Sequence, residues 1–207
     1  MPIEFVFLDL GNVIVSFDVQ HAIAQACDLS GGNPIIIEDF LRDSELQDAA
    51  ERGNLSWDDF HKEFCRRTNT LVDSNKLAVA ISNIFSLNIH MLPLIARLNR
   101  CDCGLGILSN TCSPHWDYLT KTKRLGILNQ GFDTVVLSHE VGCRKPEMTI
   151  FEIATEAAGV PSEKIFFADD LVDNVTGAQK FGWHAEVFHS AHILADALTH
   201  FGLPCNV

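Results

Sequence analysis

Short, continuously apolar runs recur along the chain, and each run ends in a polar residue or in glycine. Runs of this length that are rich in β-branched and aromatic residues predict strands that are buried on both faces of a sheet. The predicted strands are Ile3–Leu10, Leu105–Leu108, Thr134–Leu137, Ile165–Ala168 and, with a weaker pattern, Ala185–Phe188.

Amphipathic helical patterns separate the later runs. Pro146–Ala158 carries proline at its start and is followed by Gly159. Val172–Phe181 is followed by Gly182, and Ser190 is placed to cap the helix that begins behind it. Strands that alternate with helices predict βαβ units. The sequence therefore predicts an α/β fold with a doubly wound, mainly parallel sheet.

Almost a hundred residues separate the first predicted strand from the second. Helical patterns fill this gap, at Val19–Cys27, Pro34–Arg42, Trp57–Arg67, Lys76–Phe85 and Met91–Leu98. A helical block inserted after the first strand predicts a smaller domain over the carboxyl ends of the strands, where open α/β sheets bind ligands. We expect a core domain of residues 1–17 and 89–207 and a helical cap domain of residues 18–88.

The acidic net charge of the chain argues against nucleic acids and anionic membranes as its partners. Its 207 residues include 15 Lys and Arg against 27 Asp and Glu, for a net charge of −12. Such a chain lacks the basic surface that nucleic acids and anionic membranes require, and no apolar run approaches the roughly 20 residues that span a bilayer. An odd number of cysteines, seven, and an N-terminus without a basic segment predict reduced thiols and a cytoplasmic location.

Polar residues suited to phosphoryl chemistry follow four of the predicted strands. An acid at the end of one buried strand is usually a cap or turn residue. An acid, a Ser-Asn pair, a lysine and an acid pair at one edge of a sheet, in that order, indicate a catalytic site. The four motifs are Asp9-Leu10-Gly11-Asn12-Val13, Leu108-Ser109-Asn110-Thr111, Arg144-Lys145-Pro146 and Asp169-Asp170 with Asn174.

On these motifs and on the position of the helical insert, the chain resembles hydrolases of the haloacid-dehalogenase (HAD) superfamily over essentially its whole length. Within that superfamily it is most similar to the α-glucose-1-phosphate-phosphatase-like members and to the phosphatase domains of soluble epoxide hydrolases. The resemblance implies a Mg²⁺-dependent phosphatase that cleaves a small phosphorylated metabolite, with a sugar phosphate as the expected substrate, through an aspartyl-phosphate intermediate. It also implies a monomer or a homodimer.

The resemblance assigns the reacting groups residue by residue. Asp9 matches the nucleophile, because a carboxylate is ionised at neutral pH and needs no helper base. Asp9, Asp170 and the backbone carbonyl of Gly11 match the protein ligands of Mg²⁺, which prefers oxygen. The metal would cancel the repulsion between an anionic nucleophile and an anionic substrate.

The other motif residues match supporting roles. Ser109 and Asn110 would hold phosphoryl oxygens. Lys145 would act in catalysis and substrate binding as a positive charge that reaches both the phosphate and Asp9. Asp169 and Asn174 would stand behind the metal ligands, and Asn174, four residues after Asp170, would bind a metal water or orient Asp170.

One position departs from the pattern of many HAD phosphatases, which carry a second Asp two residues after the nucleophile as general acid and base. Gly11 stands there and has no side chain. The leaving group could need little protonation, a water or cap residue could serve, or the protein could be a poor hydrolase. Asp18 is a possible substitute, although capping the first cap helix is the more ordinary role for it.

Two other classes remain open. A 2-haloacid dehalogenase uses the same Asp nucleophile at carbon and needs neither metal nor general acid, but the acid pair Asp169-Asp170 argues against it. A non-catalytic protein that keeps the fold and binds phosphate is the other class, and the intact Asp9, Lys145 and Asp170 argue against that. Two arginines also leave alternatives: Arg52 could meet a substrate group or end a helix in solvent, and Arg144 could simply face solvent.

Overall fold

The computed structural model describes residues 2–121, 128 and 131–204, so that Cys205 lies outside the described residues. The strands are β1 (Phe5–Leu8), β2 (Val15–Phe17), β3 (Phe85–Leu87), β4 (Gly104–Ser109), β5 (Thr134–Leu137), β6 (Ile165–Asp169) and β7 (His184–Val187). Five of them form a parallel sheet in the order β5-β4-β1-β6-β7, while β2 and β3 pair antiparallel beside it. The predicted parallel α/β sheet is confirmed.

Helices flank the sheet and fill the long gap between β1 and β4. They are α1 (Val19–Ser30), α2 (Pro34–Leu41), α3 (Ser44–Glu51), α4 (Trp57–Thr68), α5 (Ser74–Ser82), α6 (Met91–Leu98), α7 (Ser113–Lys121), α8 (Ser138–Val141), α9 (Met148–Ala158), α10 (Val172–Phe181) and α11 (Ala191–His200). None of the helices in the described part of the chain is long and apolar enough to cross a membrane.

The central strand β1 is buried on both faces, which explains its unbroken apolar sequence. Val6 and Leu8 pack into one core with α6 and α11, and Phe5 and Phe7 pack into the other with α9 and α10. Gly106 in β4 admits the Phe7 ring, because a Cβ there would lie 2.6 Å from its Cε1 atom. These cores fix the position of the residue that follows β1.

Helices α1–α5, called the helical layer below, have an apolar cluster of their own. Ile37, Phe40, Phe64 and Leu77 are fully or almost fully buried in it. The sequence did not predict helices α3, α7 and α8 or strands β2 and β3. The helix predicted at Lys76–Phe85 is wrong at its end, because α5 stops at Ser82 and Phe85 lies in β3. Helix α3 has no fully buried residue, although Leu46 packs against the cluster, and Asp43 caps it by accepting from the Glu45 and Leu46 backbone N–H groups.

The register of the sheet brings the predicted motifs together. Leu8 in β1 lies beside Ile107 in β4 and Ala168 in β6. Because the three strands are parallel, the residues that follow them meet at one edge, called the carboxyl edge below. The helical layer adjoins this edge of the sheet around a shared cavity.

Candidate active site

A buried lysine joins three of the motifs. The Lys145 ammonium donates to Asp9 Oδ1 at 2.7 Å, to Asp169 Oδ2 at 2.6 Å and to the Leu108 carbonyl oxygen at 2.8 Å. Its side chain is 1% exposed. All three ammonium protons therefore have an acceptor, so Lys145 orients Asp9, and it can reach a phosphoryl oxygen only by sharing one of these protons.

The loop that carries Lys145 is held by Asn110 at the end of β4. The Lys145 backbone N–H donates to Asn110 Oδ1 at 2.8 Å, and Asn110 Nδ2 donates to the Lys145 carbonyl oxygen at 2.9 Å. The Asn110 amide thus positions the lysine. Its neighbour Ser109 is buried, with Oγ 3.5 Å from the Asn110 carbonyl oxygen.

Asp169 is fully buried, and both of its oxygens accept hydrogen bonds. Oδ1 accepts from the Leu171 backbone N–H at 2.8 Å, and Asn174 Nδ2 lies 3.1 Å and 3.0 Å from Oδ1 and Oδ2. Lys145 takes up the remaining capacity of Oδ2. Asn174 was expected to orient Asp170 or bind a metal water; its amide contacts Asp169 instead, because the first turn of α10 points it back toward β6.

Three carboxylates converge at the carboxyl edge. Asp9, Asp169 and Asp170 each offer an oxygen, and these oxygens lie within 4.8 Å of one another. Asp170 is only partly buried, and its Oδ2 accepts from Asn12 Nδ2 at 2.8 Å. Asn12 is in the left-handed region, with φ 54°, which turns the chain sharply after Asp9.

The charges of this cluster do not balance. Three carboxylates face one ammonium, and burial raises the pKa of Asp9 to about 7, with Asp169 adding to the rise and Lys145 opposing it. Asp169 has its oxygens occupied by donors, whereas Lys145 engages only one oxygen of Asp9. An oxygen-rich site with excess negative charge fits a divalent cation, with Asp9 and Asp170 as the accessible carboxylates.

Gly11 borders the aromatic ring of Phe17. A Cβ atom at Gly11 would lie 3.2 Å from Phe17 Cε1 and 4.0 Å from Asp9 Oδ2, so a side chain there would have to displace the ring slightly. Asp18, the other candidate acid, caps α1: its Oδ1 accepts from the His21 backbone N–H at 3.1 Å. The structure therefore gives Asp18 the capping role.

A cavity of about 350 Å³ opens next to Leu10 and Gly11, the two residues that follow Asp9. Residues 109–115 line its floor at the carboxyl edge, and the helical layer covers it. Two titratable residues line it, Glu51 at the end of α3 and His115 in α7. The sequence offered the polar turn that begins at Glu51 as a loop that could face the catalytic Asp, whereas His115 was not singled out. Burial raises the pKa of Glu51 and lowers the pKa of His115 to about 4. No motif marks His115, because only the packing of α7 brings it to the cavity.

The low pKa of His115 predicts a pH-dependent contribution to stability. In the unfolded chain this ring titrates near 6.5, so between about pH 6.5 and 4 the unfolded state binds the extra proton and the free energy of unfolding falls as the pH falls. We expect His115→Gln to reduce the stability difference between pH 7.5 and pH 5 by about 1–2 kcal/mol. Urea unfolding at the two pH values measures it.

The matched control for this prediction is His192→Gln. The His192 side chain is 77% exposed on α11, so its removal should leave the pH dependence as in the wild type. Identical pH dependence in the wild type and in His115→Gln would contradict the prediction.

Two arginines form ion pairs between the segment of the helical layer and the rest of the chain. One arginine lies on each side, and each pairs with an acid on the other side. Arg52, just after α3, pairs with Asp48 at 2.8 Å and with Glu147 before α9 at 2.5 Å. Arg144 in the core pairs with Asp48 at 2.8 Å and with Glu51 at 2.9 Å. The expectations that Arg52 is a solvated helix end and that Arg144 faces solvent were wrong, since both cations are engaged by acids that the fold places opposite them.

The chain is similar to known proteins along most of its length. No protein-family model matches the chain. It is 26% identical over 209 residues to the drimenol cyclase of Aspergillus calidoustus, covering 99% of this chain but only 38% of that protein. It is 25% identical over 192 residues to the D-ribitol-5-phosphate phosphatase of Bacteroides thetaiotaomicron, covering 87% of this chain and 89% of the relative.

The solved structures identify the fold. A HAD family enzyme of Bacteroides thetaiotaomicron, crystallised with magnesium and inorganic phosphate, superposes with a TM-score of 0.81 at 24% identity, over 91% of this chain and 95% of that one. The fold is that of the HAD superfamily, and the resemblance inferred from the four motifs is confirmed at this level.

Proposed function

We propose that this protein is a HAD-type phosphatase that hydrolyses a small phosphomonoester, with Asp9 as nucleophile and Mg²⁺ as cofactor. The observation that carries the proposal is the convergence of Asp9, Lys145, Asp169 and Asp170 at the carboxyl edge, beside a cavity. The phosphatase activity of the Bacteroides relative and the magnesium and phosphate in the solved HAD enzyme support it. Sugar phosphates are the substrate class that the relative suggests.

Asp9 performs the first chemical step. One oxygen of its carboxylate forms a bond to phosphorus while the bond from phosphorus to the alcohol oxygen breaks, which gives an aspartyl-phosphate and the free alcohol. Lys145 holds Oδ1 of Asp9 in place, since it is itself fixed by Asp169 and by the Asn110 clamp. The carboxylate therefore meets the phosphorus without prior reorganisation.

A water molecule completes the cycle by attacking the phosphorus of the aspartyl-phosphate, which releases inorganic phosphate and restores the Asp9 carboxylate. The alcohol must take a proton on leaving, and Gly11 supplies none. Solvent or another group in the cavity has to supply that proton. Ser109, which lines the cavity floor, would donate to the phosphoryl oxygens.

Asp9, Asp170 and the Gly11 carbonyl would hold the metal, and Asp169 with Asn174 would support them from behind. Bound Mg²⁺ would neutralise the excess negative charge and polarise the phosphoryl group. We further propose that residues 18–88 form a cap domain that determines specificity, with the separate apolar cluster of the helical layer in support. A cytoplasmic location and a monomeric or homodimeric state complete the proposal.

The metal requirement is the sharpest test of this function. We expect hydrolysis of 4-nitrophenyl phosphate to disappear after treatment with EDTA and to return with Mg²⁺. Asp170→Asn should raise the Mg²⁺ concentration for half-maximal activity at least about tenfold, because one of the two accessible carboxylate ligands is lost. Calorimetric titration of Mg²⁺ gives the same comparison without turnover.

Asp173→Asn is the matched control, because Asp173 is an exposed acid three residues further on in α10. It should behave as the wild type in both measurements. Equal hydrolysis with and without EDTA would contradict the proposal. Metal-independent release of halide from 2-chloropropionate would favour the dehalogenase alternative instead.

A further inference from the structure

The cover of the cavity is apolar. Of the thirteen lining residues contributed by positions 17–85, eleven are apolar, and the two polar ones are Gln47 and Glu51. Large side chains from several elements build this cover: Phe17, Leu55, Trp57, Phe60, Ile84 and Phe85. The cover faces the floor at residues 109–115, and at Gly11 a Cβ atom would lie 3.2 Å from the Phe17 ring and 4.0 Å from Asp9 Oδ2, so the cover begins close to the Asp9 carboxylate.

Two large donors in the cavity lining, Trp57 and His115, have partners within the protein. The Trp57 indole N–H donates to Ser74 Oγ at 2.8 Å, and its ring stacks on Phe60 at 5.4 Å between centroids. The His115 ring forms a hydrogen bond with the Ile81 backbone. Polar side chains line the cavity at the floor and at Gln47 and Glu51, so a substrate hydroxyl group that faces the rest of the cover would be buried against carbon. That burial is unfavourable without compensating hydrogen bonds.

The arginines beside the cavity are also engaged. Arg52 pairs with Asp48 and Glu147, and Arg144 pairs with Asp48 and Glu51. Each guanidinium therefore has two acids around it. A second phosphate or a carboxylate on the substrate would have to displace these acids, so the cavity favours a substrate with a single anionic group.

We infer that the site is built for the phosphate monoester of an apolar alcohol, with an aryl or branched alkyl group under the helical layer. This inference rests on the proposed function and narrows its substrate class. It runs against the sugar phosphate suggested by the motifs, because the motifs bind the phosphate, whereas the cover binds the alcohol.

The test compares two primary-alcohol esters, 2-phenylethyl phosphate and D-ribitol 5-phosphate, with 4-nitrophenyl phosphate as a check of basal activity. The leaving group of both esters is a primary alkoxide, so a difference in kcat/KM reports mainly on how the cavity binds the alcohol part of the substrate. We expect kcat/KM for the phenylethyl ester to exceed that for the ribitol ester by at least about tenfold, the gain from burying one aromatic group.

Two leucine variants locate the effect. Leu55→Asn places an amide in the cover from a loop outside the apolar cluster, and it should reduce kcat/KM for the phenylethyl ester several-fold while 4-nitrophenyl phosphate with its polar nitro group is affected less. Leu71→Asn is the matched control, because Leu71 is 99% exposed and does not line the cavity. It should leave the preference unchanged.

The outcomes separate the two claims. Turnover of 4-nitrophenyl phosphate with equal or better turnover of the ribitol ester would overturn the inference and leave the phosphatase proposal standing. Loss of preference in Leu71→Asn but not in Leu55→Asn would also overturn it. Failure to hydrolyse any of the three esters with Mg²⁺ present would overturn the proposed function, and the inference with it.

Discussion

Asp9→Asn should reduce phosphatase turnover by on the order of 10³-fold or more, with the fold retained. An amide oxygen can occupy the place of Oδ1 and still accept from Lys145, whose second partner, Asp169, remains. The amide does not attack phosphorus, so the structural contact persists while the nucleophile is lost. Steady-state kinetics with 4-nitrophenyl phosphate and urea unfolding of the same preparation measure the two effects.

The control for this variant is Asp18→Asn. Asp18 lies nine residues further on and caps α1, and asparagine caps helices about as well as aspartate. Its activity and stability should stay close to the wild type, which would also exclude Asp18 as the proton donor. More than a tenth of wild-type activity in pure Asp9→Asn protein would contradict the nucleophile assignment.

Lys145→Met should lower the free energy of unfolding by about 3–5 kcal/mol. Methionine fills a similar volume, but it leaves the buried Asp9 and Asp169 carboxylates without their shared cation. One of the pair then holds a proton more tightly in the folded state than in the unfolded chain. That raised folded-state pKa stabilises the fold below the unfolded value and loses its effect as the pH rises, so the deficit relative to the wild type should grow from pH 5 to pH 8.

Lys164→Met provides the matched control. Lys164 pairs with Glu4 at the opposite edge of the sheet, with side chains 29% and 42% exposed, and such pairs contribute only about 0–1 kcal/mol. Urea unfolding of both variants at pH 5, 7 and 8 makes the comparison. Equal losses in the two variants, or a Lys145→Met deficit that shrinks as the pH rises, would contradict the role of Lys145 as the cation of a buried charge cluster.

The elements that could be predicted from the sequence are those whose burial requires a continuous run of apolar residues. Strand β1 packs on both faces, so its residues are all apolar, and β4, β5 and β6 show the same signal. Helix α3 was missed because it buries no side chain completely: Leu46 packs partly against the apolar cluster, and the cap and ion pairs hold the rest of the helix. A helix held mainly by polar contacts carries only a weak apolar periodicity.

The sequence indicated which residues lie at the candidate site, but it did not indicate all of the hydrogen bonds between them. The order of motifs along parallel strands is enough to place Asp9, Lys145 and Asp170 at one edge. The partner of Asn174, by contrast, depends on a turn of the backbone after Asp169, where the Leu171 N–H and the Asn174 amide both bond one carboxylate. Spacing along an ideal helix pointed to Asp170, and the actual first turn of α10 decided otherwise.

The character of the cavity was hidden for a different reason. The apolar residues of its cover are spread between Phe17 and Phe85, in helices, in strands β2 and β3 and in loops, and each looks like an ordinary core residue in its own segment. Trp57 and Phe60, for example, have the spacing of core positions, and they do pack on the cluster of the helical layer while also lining the cavity. Sequence periodicity reports that a side chain is buried and does not report what else it faces.

The ion pairs of Arg52 and Arg144 join the helical layer to the rest of the chain, and they limit how freely the helical segment could be exchanged between proteins. Arg52 beside the helical layer pairs with Glu147, and Arg144 outside it pairs with Glu51 of α3. Because Gly53 has no side chain, the end of α3 can also approach the His139 carbonyl closely. A segment of residues 18–88 grafted onto another scaffold would leave Asp48, Glu51 and Arg52 without these partners unless positions 144 and 147 travelled with it. Laboratory exchange of this segment should therefore move these acids and arginines as one set, because a crossover that separates them leaves charges unpaired.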